Sequence, residues 1–274
     1  MSIITLSRQR GAGDEEIVEM ICQNLGFISV DKQKIGDVVA GYGFQFSSLE
    51  KYDEKKPSFW DFITRERYKF IHAIQIAICE LALNGNVIII GRGGFVLLKE
   101  IPGVLRVKII APFELRVRNM ARTGKSPEEI QHILRIFDKE GEGFLRHHYN
   151  ADWNDPLLYD MVINTEKVPC EKAAKLITNA RMVMDENVNE AEAQEKLADL
   201  ALKLKVELAV MQDVKVDIRN LDVVVRQGNV VISGIVSHEQ VKKACEEAAL
   251  RVEGVKHLEN RISIASILPH PYEW

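Results

Sequence analysis

Cysteine is scarce in this chain of 274 residues, and the four present, Cys22, Cys79, Cys170 and Cys245, include no CxxC pair. Scattered single thiols argue against a zinc site and against a disulfide framework of the secreted kind. Positive charge is not in excess either: 36 Lys and Arg stand against 40 Asp and Glu, for a net charge of −4. That balance gives no general electrostatic pull toward nucleic acid or acidic membrane, and nucleic acid is not expected as a partner. Long hydrophobic runs are missing. The first apolar run, from Ile3, is short and soon followed by arginines, unlike a secretion signal or a membrane span. Internal repeats and low-complexity tracts are lacking too. What is left is an ordinary globular composition, 46% hydrophobic and 28% charged, for which the reducing cytoplasm is the expected location. The length suggests two domains.

Four apolar runs rich in Ile and Val read as buried strands: Ile3 to Leu6, Val87 to Ile90, Val104 to Ile110 and Met161 to Ile163, with Phe27 to Val30 as a weaker fifth. Enough chain separates them for helices, so the expectation is an α/β fold with a parallel sheet covered by helices on both faces. Ile17, Ile21 and Leu25 share one face of a first helix, with Gly26 as a left-handed cap. A second helix runs from about Phe62 to Leu83. Near residue 185 the pattern changes to the acidic, polar stretch DENVNEAEAQEK, which reads as a linker entering a helix. A compact β-rich segment follows. Leu221, Val223 and Val225 alternate with other residues, a turn is expected at Gly228–Asn229, and Val230 to Ser233 returns as a strand. Ser237 and Gln240 form a capping-box signature for a helix ending near Gly254, and His257 to Ile264 closes the unit as a strand. The expected division is 1–182, a linker 183–192, a small α+β domain 193–268 and a tail 269–274 ending in Tyr272 and Trp274.

The richest stretch is IITLSRQRGAGDEEI, residues 3–17: a strand, a turn containing Gly11 and Gly13, and a helix start. That order builds a phosphate-binding loop, in which backbone N–H groups at a helix N-terminus hold an anion. Aligned on Gly13, the pattern GxxxxGK[ST] is broken at three positions. Arg8 stands at the first glycine, Asp14 at the lysine and Glu15 at the hydroxyl.

The first 180 residues resemble the cytidylate-kinase-like family of P-loop nucleotide kinases. The resemblance rests on ITLSRQRGAGDEEI, VDKQKI, VIIIGRGG, APFELRVRNMARTGKSPEEI and DWNDPLLYDMVINT, in that order. Residues from about Asp213 to Ala265 resemble a BON domain through LDVVVRQGNVVISGIVSHEQVKKACEEAALRVEGVKHLENRISI. The first resemblance implies ATP and Mg2+ as cofactors, and a nucleoside monophosphate or similar small molecule as phosphate acceptor. Members of this family often lack the loop lysine. An acid in its place is the larger departure, because it repels phosphate.

Residue by residue, the resemblance gives Gly11, Ala12 and Gly13 the donor phosphates, with Arg8 and Arg10 replacing some of the lysine's charge. The alternative is a tight glycine turn with solvated arginines. Glu15 is the candidate magnesium ligand, but Asp14, Glu15 and Glu16 also suit a helix N-terminus with no ligand at all. Arg92, within Gly91-Arg92-Gly93, matches the family's GRG motif and would bracket the acceptor phosphate; a pairing with a nearby carboxylate is the other reading. Typical cytidylate kinases carry GRD here and read the nucleoside with the acid, so Gly93 leaves base choice open. Asp31 either orients an acceptor-side arginine or caps a helix. Arg116, Arg118 and Arg122 fit the start of a lid, where Arg118 and Arg122 share a helical face as a phosphate clamp or lie solvated. The family's lid arginine, a few residues past Asp138, is replaced by Gly141, and Arg146 is the nearest surviving cation. Arg92, Arg116 and Arg146 are thus the candidate catalytic cations. Trp153, Asp155-Pro156, Asp160 and the Asn164-Thr165 pair read as structural, and the adjacent His147 and His148 make a poor metal site.

The BON resemblance implies an interaction module for a lipid or protein partner, and the segment carries no nucleophile–base pair. Three functions follow from the whole: a phosphotransferase, a nucleotide or anion sensor acting through the second domain, or an interaction scaffold.

Overall fold

The structure, a computed structural model, describes residues 1–44, 61–185, 188–214 and 218–265. The aromatic tail 269–274 lies outside the described residues. By its contacts the chain divides into two compact units, Met1–Pro57 with Glu80–Leu197, and Ser58–Cys79 with Ala198–Trp274.

In the first unit five strands form one sheet in the order β2-β3-β1-β4-β5, every pair parallel. The strands are β1 (Ile3–Arg8), β2 (Ile28–Val30), β3 (Val87–Ile90), β4 (Val104–Ile110) and β5 (Met161–Asn164). Helices α1 (Asp14–Leu25), α2 (Lys32–Ala40), α4 (Gly94–Leu97), α5 (Phe113–Met120), α6 (Pro127–Tyr149) and α7 (Cys170–Asp185) are interleaved with them, whereas most of α3 (Asp61–Leu83) and of α8 (Glu190–Asp213) belongs to the second unit. Two of the three unit boundaries fall inside α3 and α8.

Period-two alternation along β1 explains the two layers. Ile4 and Leu6 join Ile17 and Ile21 of α1 and Ala173 and Ile177 of α7 in one core. Ile3, Thr5 and Ser7 point to the opposite face, where the Trp153 indole Nε1 donates to Ser7 Oγ at 2.7 Å and the Phe95 and Tyr159 rings stack at 4.8 Å. Gly26 caps α1 in the left-handed conformation expected of it.

β5 is pinned to the sheet by more than ladder bonds. The Asp160 carboxylate accepts from Arg106 N–H at 2.8 Å, from Nε at 3.1 Å and from Nη2 at 2.6 Å. Burial pushes the Asp160 carboxyl up, and the hydrogen bonds and charge of Arg106 more than reverse this, so it titrates below its ordinary value. A depressed carboxyl contributes stability in full above its unfolded pKa of about 4, and loses it as pH falls through the folded value. Asp160→Asn is expected to lower stability by about 2 kcal/mol at neutral pH. It should also flatten the stability profile in acid, as measured by urea unfolding over a pH series; an unchanged profile would show the pair to be inert.

The second unit carries β6 (Arg219–Arg226), β7 (Asn229–Val236) and β8 (His257–Ile264), with β6–β7 antiparallel and β7–β8 parallel, and helix α9 (Glu239–Leu250). Val206 and Val210 of α8, Val223, Val230, Ile232 and Ile262 of the sheet, and Cys245 and Ala248 of α9 form its core. His72 Nε2 of α3 lies 3.1 Å from Glu207 Oε2.

Two local expectations are corrected here. The hairpin turn falls on Gln227 and Gly228, with φ of 52° and 85°, one residue earlier than Gly228–Asn229, because both central positions of such a turn need positive φ and Asn229 is already paired with Arg226. Helix α9 has His238 at its N-cap with no side-chain cap, so the Ser237–Gln240 box does not form. The helix ends at Leu250, short of Gly254, in the register that buries Val241, Cys245 and Ala248.

Candidate functional site

The loop between β1 and α1 is held from one side. Asn119 Nδ2 donates to the Gly11 carbonyl at 2.9 Å and Thr165 Oγ1 to the Ala12 carbonyl at 2.8 Å, while Arg116 Nη1 reaches the Arg10 carbonyl at 3.5 Å. Within the loop the Ala12 N–H donates to the Gln9 carbonyl at 3.1 Å, so one of the three expected phosphate donors is already taken by the turn itself, while Gly11 and Gly13 line the cleft. Gly13 is the N-cap of α1 with φ of 87°, and a Cβ built on it would sit 2.5 Å from Cys170 Sγ. Sequence and packing therefore both require glycine there.

The three acids after the loop go to three different partners. Asp14 pairs with Arg8, Oδ2 to Nε at 3.3 Å. Glu15 is 89% exposed and lies 3.8 Å from Arg122. Glu16 stands by Cys170, whose thiol is pushed up by burial and by that carboxylate.

Across the sheet edge, the Gly91 N–H donates to the Leu6 carbonyl at 2.9 Å, which sets the end of β3 beside the end of β1. Gly91, Arg92 and Gly93 have φ of 72°, 56° and 73°, a run of left-handed residues that throws the chain out of the strand. The Tyr149 hydroxyl donates to the Arg92 carbonyl at 3.3 Å, and its ring covers Gly93 so closely that a Cβ there would lie 2.4 Å from Cε2. Asp31 is the N-cap of α2, accepting from Lys34 N–H at 3.0 Å, and it also lines the cleft.

The lid arginines separate. Arg116 is 3% exposed, bonded to both Asp138 oxygens at 2.9 and 2.7 Å, and lies beneath the loop rather than in the cleft wall. Arg118 lies on α5 and Arg122 on a 3-10 turn, Ala121–Thr123; both line the cleft, though the change of helix type ends the regular spacing that put them on one face. Arg146 is exposed on α6 and does not line the cleft. The α6 face that does so presents Ile133, Phe137, Glu140, Gly141 and Phe144. The Phe137 ring centroid is 5.6 Å from Arg8 Cζ and 5.8 Å from Arg10 Cζ.

These parts surround one cleft of about 1900 Å³ at the carboxyl ends of the strands, where open α/β sheets bind ligands. Arg8, Arg10, Gly11, Ala12, Gly13, Asp31, Arg92, Arg118 and Arg122 all line it. Sequence reasoning missed Asn119, Tyr149 and Phe137, which carry no local signal. It also took the Asn164-Thr165 pair as purely structural, whereas Thr165 fixes the loop and lines the cleft.

A parallel sheet of this order, with a glycine loop after its first strand opening onto such a cleft, defines a kinase-like nucleotide-binding fold. The chain belongs to the cytidylate kinase-like family, whose model matches residues 3–167, and a BON domain model matches residues 196–266. A cytidylate kinase of Methanosarcina barkeri is 33% identical over 116 residues, 42% of this chain and 59% of that one. Another, from Pyrococcus horikoshii, is 31% identical over 169 residues, covering 60% of this chain and 80% of its own length. The crystal structure of an uncharacterized protein from Eubacterium ventriosum covers 66% of this chain and 99% of that one, with a TM-score of 0.53 and 16% identity, a likeness of fold alone. No helix among the described residues is long and apolar enough to cross a membrane.

Proposed function

We propose that the first unit is an ATP-dependent phosphotransferase acting on a nucleoside monophosphate or a similar small phosphate-bearing acceptor, in the cytoplasm. One observation carries this reading: a single cleft joins the glycine loop to Arg92, so that donor and acceptor phosphates meet in one space. Phosphoryl transfer asks mainly for positioning and charge neutralisation, and these groups supply both. In this reading the Gly11 and Gly13 N–H groups take the donor phosphates and Arg92 brackets the acceptor phosphate bidentately. Glu15, an exposed carboxylate at the mouth of the loop, fits magnesium, which keeps most of its waters and accepts one or two protein oxygens. When bound, the ion would neutralise charge on the donor phosphates. Arg118 and Arg122 approach from the lid. The second unit, matched by the BON model, serves as an interaction module for a lipid or protein partner.

The test is calorimetric titration with MgATP, then CMP and dCMP, with ADP release measured alongside. Arg92→Ala is expected to weaken monophosphate binding by about tenfold or more, the worth of a charge-assisted pair, while leaving ATP affinity in place. Monophosphate affinity unchanged by that substitution would remove Arg92 from the acceptor site.

The α6 face favours a second reading. Phe137, Gly141 and Phe144 line the cleft where lid cations would act on the transferred group. A site that binds nucleotide without turning it over, as a sensor does, would keep the loop and lose those cations. Saturable binding with no ADP release would select it.

A further inference from the structure

Two positions depart from the phosphate-loop pattern: Arg8, which the sequence already suggests as a partial replacement for the lysine's charge, and Asp14, which reads there as an acid that repels phosphate. In the structure they touch. Arg8 Nε lies 3.3 Å from Asp14 Oδ2, and the two side chains are only 28% and 15% exposed. Arg8 leaves the end of β1 and passes over Gly91, where a built Cβ would come within 2.4 Å of Nη1. Its guanidinium therefore lies between the first turn of α1 and the Gly91–Gly93 loop, with the Phe137 ring at 5.6 Å. Burial lowers the Arg8 pKa and the Asp14 charge opposes that effect; burial in turn raises the Asp14 carboxyl and Arg8 opposes it. Neither charge is well placed there alone, since a half-desolvated ion without its partner is costly.

We propose that the loop cation has been transposed: Arg8 performs the task of the missing lysine on the phosphate being transferred, and Asp14 is the positioning residue that aligns it. This rests on the cleft being a phosphotransfer or triphosphate-binding site. A guanidinium at the strand end, between the loop that holds the donor and the loop that holds the acceptor, can bond to oxygens of both phosphates at once, which a lysine point charge cannot do as well. Asp14 then does the opposite of spoiling the loop. Through Nε it fixes the plane of the fork and keeps the guanidinium off the neighbouring Arg92.

The experiment compares wild type with Arg8→Gln, Asp14→Asn and the double variant, using MgATP, MgADP and magnesium tripolyphosphate as calorimetric probes. Arg8→Gln is expected to weaken ATP and tripolyphosphate by about tenfold or more and ADP by less than about threefold, since the third phosphate is the one it serves. Asp14→Asn should also weaken ATP, and the double variant should be no worse than Arg8→Gln, because Asp14 acts through Arg8. Should Arg8→Gln fail to fold with Asp14 left unpaired, the double variant, which removes both charges, carries the same expected loss. An aspartate that merely repels phosphate would give the reverse: Asp14→Asn would tighten ATP binding and Arg8→Gln would change nothing. That result would overturn the transposition and leave the nucleotide site standing. A wild-type chain that binds neither ATP nor tripolyphosphate would remove both.

Discussion

Asp138→Ala is expected to lower stability by about 3–5 kcal/mol, the cost of leaving a buried cation without its partner. Arg116 is 3% exposed, and both of its terminal nitrogens are bonded to the Asp138 carboxylate. The same guanidinium supports the Arg10 carbonyl, and the Arg116 backbone and Cβ crowd Gly11. Loss of Asp138 therefore unseats the floor of the glycine loop, so the proposed ligand affinity should fall with stability. Replacing both partners, Arg116→Met with Asp138→Leu, should cost far less, because a buried pair exchanged for apolar groups of similar size is often close to neutral. Urea unfolding of the single and double variants measures the contrast. Equal losses in both would mean that packing, and not charge pairing, holds Arg116.

The second large effect falls on Gly13. Gly13→Ala puts a side chain into a left-handed conformation, at about 1–2 kcal/mol, and drives its Cβ into Cys170 Sγ. The chain relieves this by moving the start of α1, and with it the Gly11 and Gly13 N–H groups proposed to take the donor phosphates. MgATP affinity is expected to fall about a hundredfold, equivalent to about 2.7 kcal/mol, with a smaller change in melting temperature. Adding Cys170→Ala removes the collision but not the backbone strain, so it should restore part of the loss. Full affinity in Gly13→Ala would take the donor phosphates away from this loop.

The fold was legible because its strands are buried on both faces. Val87–Ile90 and Val104–Ile110 stand in the structure at the bounds that their unbroken apolar runs suggest. The glycine loop and the cap at Gly26 were legible for a related reason, since glycine adopts such backbone without cost, while the GRG turn was legible only through the family resemblance. What the arginines touch was not legible. Arg116 and Arg118 lie two residues apart on α5, yet one is bonded to Asp138 of α6 and the other lines the cleft. Asp14 reads as an acid beside a phosphate, and it becomes a partner of Arg8 only once the turn brings the two back together. Tyr149 reaches Arg92 across 57 residues of sequence, with no local pattern to announce it.

That last contact constrains the order in which this site can change. The Tyr149 ring fills the volume beside Gly93, held there by the hydroxyl bond to Arg92 and by Phe144 at 6.0 Å. A carboxylate introduced at position 93 while the ring remains meets both a steric block and an unfavourable backbone angle. Shrinking residue 149 first opens the space and gives up the hydroxyl bond to Arg92. The two positions are therefore epistatic: an acid at position 93 meets the backbone cost alone once the ring has been reduced, and meets both obstacles if it comes first.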